Sequence, residues 1–221
     1  MGGGPAGIGM DLPQRSCLIH GYQGPNPGRR RRAPGPSRQA PARGARDLCT
    51  SNRDALTMAP DISVLMVCLG NICRSPMAEG VFRHILQEEG LQDRIRVDSA
   101  GTGSWHVGEA PDLRSARTAA ARGVELSGNA RRVRPEDFRS FDYIVAMDLE
   151  NLESLQHFRD GVGGEASLYL LREFDPEGGP GAEVPDPYYG GPRGFEEVFD
   201  MVERSCRGLL AHILEEHGQK S

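Results

Sequence analysis

From Ile62 onward, short apolar runs alternate with amphipathic stretches, and the two periods separate cleanly. Ile62 to Val67, Ile95 to Asp98, Tyr143 to Met147 and Ser167 to Leu170 are brief and rich in β-branched, aromatic or large aliphatic residues, which predicts strands. Between them, Pro76 to Glu89 places Met77, Val81 and Ile85 at helical spacing and stops at Gly90, and Pro111 to Arg122 stops at Gly123. A last helix carries Phe195, Val198, Phe199, Val202, Leu209, Ile213 and Leu214 on one stripe, the mark of a face turned to a core. Strands alternating with crossover helices predict a doubly wound, three-layer α/β domain: a four-stranded parallel sheet with helices on both faces. Its length, about 160 residues, suffices for one core.

The 57 residues before Met58 break this pattern. They hold nine arginines, including Arg29 to Arg32, with ten glycines, seven prolines and three acidic residues, and no hydrophobic period. Such a segment is expected to be disordered. It has no apolar run long enough for a signal peptide or a membrane span. Met58 lies where the domain would begin, so residues 1–57 are read as a basic extension, or as an artefact upstream of the true start. The chain has 26 basic and 31 acidic residues; with nine and three of them in the extension, 17 and 28 remain from Met58 onward. The folded part is therefore acidic, which argues against nucleic-acid binding.

The first strand runs directly into Cys68-Leu69-Gly70-Asn71-Ile72-Cys73-Arg74-Ser75, followed by Pro76. Five residues between a cysteine and an arginine allow the backbone to curl with several N–H groups aimed at one anion. The following helix adds the positive end of its dipole. Gly70 is expected to take a conformation closed to other residues, and Asn71 tolerates positive φ. Ser75 before Pro76 is expected to cap the helix, with the proline at its first position. Inward N–H groups, the helix end and Arg74 all favour negative charge, so Cys68 is expected to react as a thiolate nucleophile. Arg74 offers a planar fork for two phosphate oxygens. The loop is not a Walker loop, since the chain has no lysine before Lys220. In a doubly wound sheet the site lies at the carboxyl ends of the strands. Ser99 and Asp148 follow the second and third strands and can reach that crevice, although Asp148 reads first as a helix cap.

The segment VCLGNICRSPMAE, the stretch Val97 to Gly108 and the motif Asp186-Pro187-Tyr188-Tyr189-Gly190 together resemble the low-molecular-weight protein tyrosine phosphatases, with the middle stretch similar to the bacterial branch. The resemblance runs from about Ile62 to the last helix, in order and with similar spacing. It implies a protein-tyrosine phosphatase working through a phosphocysteine intermediate. Cys68 is then the nucleophile, Arg74 the phosphate clamp, and Asp186 the general acid and later the base. Leu69, Gly70, Asn71, Ile72 and Cys73 belong to the phosphate loop, Ser75 bonds the thiolate, and Asn71 with Ser99 holds the loop. Trp105, Tyr188 and Tyr189 line the aromatic cleft, and Cys73 can form a disulfide with Cys68 after oxidation. One departure is Gly128, where members of the family often carry a histidine supporting the loop serine.

The implied partners are tyrosine-phosphorylated proteins, with a cognate tyrosine kinase as a further candidate and neither nucleic acid nor membrane. The protein is expected to be a monomer or weak dimer in the cytoplasm, export without a cleavable signal being left open. Five irregularly spaced cysteines argue against a secreted disulfide framework, and no CxxC pair or His/Cys cluster suggests a metal, so no cofactor is expected. Arsenate reductases share the loop but relay oxidation to further cysteines on a mobile segment, whereas none lies here between Cys73 and Cys206. Protein-arginine phosphatases use the same nucleophile with a small polar residue where this chain has Ile72. A non-catalytic phosphotyrosine-binding module would lose Cys68 or Asp186, and both are present.

Overall fold

Every residue of β1 (Ile62–Cys68) is buried, so the sequence ISVLMVC must have apolar neighbours on both faces. Alternation along the strand splits it: Val64, Met66 and Cys68 face one cluster and Leu65 and Val67 the other. In the computed structural model, which describes residues 61–188, 191 and 193–218, β1 pairs in parallel with β2 (Ile95–Gly101) and with β3 (Tyr143–Ala146). β3 pairs with β4 (Ser167–Leu170), giving the order β2-β1-β3-β4. The expected four-stranded parallel sheet is thus present. The expectations for residues 1–57 and for Tyr189 lie outside the described residues.

Helices α1 (Arg74–Glu88) and α5 (Gly194–Gly218) cover one face together with α2 (Leu113–Ala121). Short α3 (Asp137–Ser140) and α4 (Leu149–Val162) cover the other, where Phe138 meets Phe158 edge-on at 5.6 Å between ring centroids. The predicted stops hold, as Gly90 and Gly123 follow their helices at φ 69° and 79°. Leu214 departs from expectation: it is exposed, while Ile213 beside it is fully buried and ends the core stripe. The chain leaves β1 through α1 to one side and returns across it to β3 on the other. The strand order therefore reverses at the carboxyl end of β1, where a crevice opens.

Gly208 sets how closely α5 seats against the sheet. A Cβ there would collide with the carbonyl oxygen of Phe174, in the 3₁₀ turn Leu171–Phe174 after β4. In an exposed helix Gly→Ala stabilises by about 1 kcal/mol. Here Gly208→Ala is expected to destabilise by about 1–3 kcal/mol through overpacking, read as a lowered urea midpoint at unchanged slope.

Candidate active site

The loop after β1 turns at Asn71, the one described non-glycine residue with positive φ, 54°. Four hydrogen bonds hold it there. Its N–H donates to Cys68 Sγ at 3.3 Å, its Nδ2 donates to Ser75 Oγ at 3.0 Å and Ser99 Oγ at 2.9 Å, and its Oδ1 accepts from the Arg131 N–H at 2.9 Å. Gly70 differs from expectation, since its φ is not in the left-handed region. What glycine provides there is clearance: a Cβ would lie 3.1 Å from Cδ2 of His106. Gly101 acts similarly from β2, where a Cβ would come within 2.8 Å of the Leu69 carbonyl oxygen.

Ser75 is not the helix cap. Helix α1 starts at Arg74, two residues before the expected Pro76, with Cys73 at the N-cap position and no side-chain cap, and Pro76 is the third helical residue. The Ser75 hydroxyl points back into the loop instead, 3.0 Å from Cys68 Sγ, and is also 3.3 Å from the Ala100 carbonyl. Helix entry is left with free N–H groups, which is what an anion site requires. Among the described residues, the N–H groups of Gly70, Ile72 and Cys73 meet no protein acceptor.

Behind the loop, Ser99 Oγ donates to Glu79 Oε2 at 2.6 Å. Burial raises the pKa of the Glu79 carboxyl, with the Ser99 hydrogen bond and Arg83 pulling it back. Glu79, Ser99 and Asn71 thus form one chain of hydrogen bonds ending at Ser75 and Cys68. Gly128, at φ 86°, stands beside this chain without a side chain to join it. Support for the loop comes from Glu79 and from the Arg131 backbone.

Arg74 is buried to 4 % exposure, a costly place for a charge unless it is paired. Its Nη1 donates to Asp148 Oδ2 at 2.5 Å and to the Val184 carbonyl at 3.1 Å, and its Nη2 lies 3.4 Å from Asp186 Oδ2. Burial alone would lower its pKa, but Cys68, Asp148 and Asp186 outweigh that and hold the guanidinium above its ordinary value. Asp148 has two tasks. One oxygen caps α4 by accepting from the Asn151 N–H at 2.7 Å, and the other anchors Arg74.

Asp186 stands at the rim, with Oδ1 accepting from the Tyr188 N–H at 3.0 Å in an Asx-type turn. Arg114 clasps this segment to the body: its Nη1 donates to the Tyr188 carbonyl at 3.0 Å, and its guanidinium lies 5.0 Å from the Tyr188 ring and 4.8 Å from Phe195. A cavity of about 340 Å³ collects Cys68, Ile72, Arg74, Trp105, Asp186 and Tyr188 on one wall or another. Leu69, Gly70 and Cys73 line it too, so the predicted residues from Cys68 to Arg74 and from the two distant segments converge. Ser75, Asn71 and Ser99 sit beneath it.

Three residues escaped the sequence reading. His106 lines the pocket over Gly70, with Nδ1 2.8 Å from Glu109 Oε2; its neighbour Trp105 was the available signal. Arg114 had no local signal, because its partner Tyr188 lies far along the chain. Glu79 ends the segment VCLGNICRSPMAE, yet only its buried contact with Ser99 shows what it does.

Burial pushes the Cys73 thiol up to about 12, helped by Asp112, Cys68 and Asp186. It stays protonated at neutral pH, so it does not compete with Cys68 as a nucleophile.

Known proteins share this fold and much of this sequence. The family model for low molecular weight phosphotyrosine protein phosphatase matches residues 63–220. A low molecular weight protein-tyrosine-phosphatase of Streptomyces coelicolor is 45% identical over 154 residues, covering 69% of this chain and 94% of the relative. The crystal structure of a protein tyrosine phosphatase from Entamoeba histolytica superposes with TM-score 0.65 at 38% identity, over 72% of this chain and 99% of that one. That of a Drosophila arginine phosphatase does so with TM-score 0.63 at 35% identity, over 68% and 96%. With the matched region spanning the whole sheet, the cysteine loop and the aspartate segment, this chain belongs to the low molecular weight phosphotyrosine protein phosphatase family.

Proposed function

We propose that this protein hydrolyses phosphotyrosine in proteins through a phosphocysteine intermediate. The observation that carries this reading is the position of Cys68 Sγ, held by the Ser75 hydroxyl and the Asn71 N–H in a pocket that also contains Arg74 and Asp186. Sγ attacks phosphorus and the bond to the tyrosine oxygen breaks, with the electron pair leaving on that oxygen. Asp186 donates a proton to it, releasing neutral phenol. The phosphoryl oxygens meet the free N–H groups of the loop and the Nη2 edge of Arg74, whose Nη1 is committed to Asp148 and Val184. Asp186, now a carboxylate, takes a proton from water as that water attacks phosphorus. The S–P bond breaks, inorganic phosphate leaves and Cys68 returns as thiolate.

The ring of the substrate packs among Ile72, Trp105 and Tyr188. An apolar Ile72 in the slot favours an aryl group over a guanidinium, which supports phosphotyrosine over phosphoarginine despite the likeness to an arginine phosphatase. Tyrosine-phosphorylated proteins are the proposed partners and the cytoplasm the proposed place of action. Among the described residues, no helix is long and apolar enough to cross a membrane.

The direct test is phosphate release from matched phosphotyrosine, phosphoserine and phosphoarginine peptides, with chelator and reductant present and Cys68→Ser as control. Selective, Cys68-dependent release from phosphotyrosine is expected; preference for phosphoarginine would move the assignment to that chemistry. Asp186→Asn is expected to lower kcat about 10²–10⁴-fold for poor leaving groups and less for good ones; equal losses on both would argue against a general acid. Iodoacetate at pH 7 is expected to label Cys68 and spare Cys73, whose thiol burial keeps protonated. Peptide mapping of the alkylated protein checks both sites, and early labelling of Cys73 would contradict its protected state.

A further inference from the structure

A second groove, about 370 Å³, opens on the far side of the ridge made by Leu69 and Trp105, the two residues it shares with the active-site pocket. Its apolar floor is the edge of buried Val133 and Leu155, and half-buried Phe158 forms its wall. Phe158 is fixed edge-on against buried Phe138, so this wall is preformed. Trp105, 72 % exposed, stands between the two hollows with apolar surface turned to water. It sits over Gly103, where any Cβ would collide with the indole. Exposed apolar surface bordering a groove marks an interaction site.

The groove also carries a positive charge. Arg132 lines it, exposed, with Nε donating to the Thr102 carbonyl at 3.3 Å and no acidic partner among the described residues. Its neighbour Arg131 is consumed by Asp98 and Asp137. In a folded part that is acidic overall, an arginine with no acid beside it is a local attraction for a carboxylate from elsewhere. The chain's own first 57 residues are a poor match, with nine arginines against three acidic residues.

We propose that this groove receives the residues flanking phosphotyrosine, an apolar side chain packing on Val133, Leu155 and Phe158 and a nearby carboxylate pairing with Arg132. This rests on the phosphotyrosine reading of the adjoining pocket. The hollows share the Leu69–Trp105 ridge, and an extended chain advances about 3.3 Å per residue, so a contact just beyond that ridge falls within about two to four residues of the phosphotyrosine. The enzyme then selects phosphotyrosine sites with an apolar and an acidic neighbour, a preference no small aryl phosphate can display.

The test compares kcat/KM of the full chain on p-nitrophenyl phosphate and on three phosphotyrosine peptides, flanked by Leu and Glu, by Ala alone, or by Leu and Lys. The Leu/Glu peptide is expected to exceed the Ala peptide about tenfold. Arg132→Glu is expected to cut the Leu/Glu peptide about fivefold, to favour the Leu/Lys peptide and to leave p-nitrophenyl phosphate unchanged. Ser154→Trp, which fills the groove from an exposed position on α4, should abolish the Leu/Ala discrimination and again spare the small substrate. Equal losses on every substrate, or no peptide preference while p-nitrophenyl phosphate is hydrolysed, would overturn the groove assignment and leave the phosphatase reading standing. A shift in sedimentation with either variant and unchanged peptide kinetics would mean the groove serves a second copy, and would likewise overturn it. If the wild type fails on p-nitrophenyl phosphate, the fault lies with the phosphatase reading.

Discussion

The left-handed backbone at Asn71 is the constraint on which the site depends. Asparagine visits that conformation more readily than most residues, and here four hydrogen bonds converge to hold it, each contributing about 1 kcal/mol net. Two of those bonds reach the reactive end of the loop, at Cys68 and Ser75, and two reach the body, at Ser99 and Arg131. The residue that bends the chain is therefore also the residue that ties the nucleophile to β2 and to the segment before α3. A glycine would adopt the turn more easily and lose three of the four ties, since only the bond from its backbone N–H would remain.

Two buried charges depend on that frame in turn. Glu79 is tolerable inside because Ser99 and Arg83 meet its oxygens, and Arg74 because Asp148 and Val184 do. Each arrangement divides a group between structure and chemistry. Asp148 spends one oxygen on helix α4 and one on Arg74, so the position of that helix fixes the guanidinium plane. Asp186, by contrast, lies at the rim on a segment clasped by Arg114, where a proton can be exchanged with substrate and with water. The parts that must not move are buried in hydrogen bonds, and the part that must trade a proton is half exposed.

Much of this was legible in the residues. Strand positions, the Gly90 and Gly123 stops and the convergence of Cys68, Arg74 and Asp186 followed from periodicity and from the resemblance. Where the reading failed, it failed at residues with two plausible local roles. Ser75 before Pro76 has every feature of a cap, but the loop curls so that a thiol seven residues earlier comes within 3.0 Å of its hydroxyl, a better partner than the helix end offers. Gly70 suggested unusual φ, whereas its missing Cβ makes room for His106, a residue whose approach no local pattern encodes. Leu214 fits the stripe of α5 by spacing, but it lies at the stripe's edge: Ile213, His212 and His217 turn to the sheet, against Tyr143, Tyr169 and Phe174, while Leu214 points away to solvent. Arg114 and Tyr188, 74 positions apart, meet only once the tertiary fold is made.

Selectivity must be built separately from the chemistry in such a frame. On the proposed reading the loop N–H groups and Arg74 would meet a phosphate, and the slot between Trp105 and Tyr188 a flat ring; both would be the same for any phosphotyrosine. The loop is held from within by the four hydrogen bonds of Asn71. Discrimination among phosphorylated proteins then falls to surfaces bordering the slot, and the border is unequal. One side is the Asp186 segment, already occupied by its Arg114 clasp. The other is the Leu69–Trp105 ridge, beyond which lies apolar surface with an arginine that has no acid beside it. Trp105 belongs to both hollows, so a substrate that covers its outer face also steadies its inner one against the ring. Recognition beyond the ridge is thereby coupled to the aryl slot through a single side chain, without disturbing the phosphate loop.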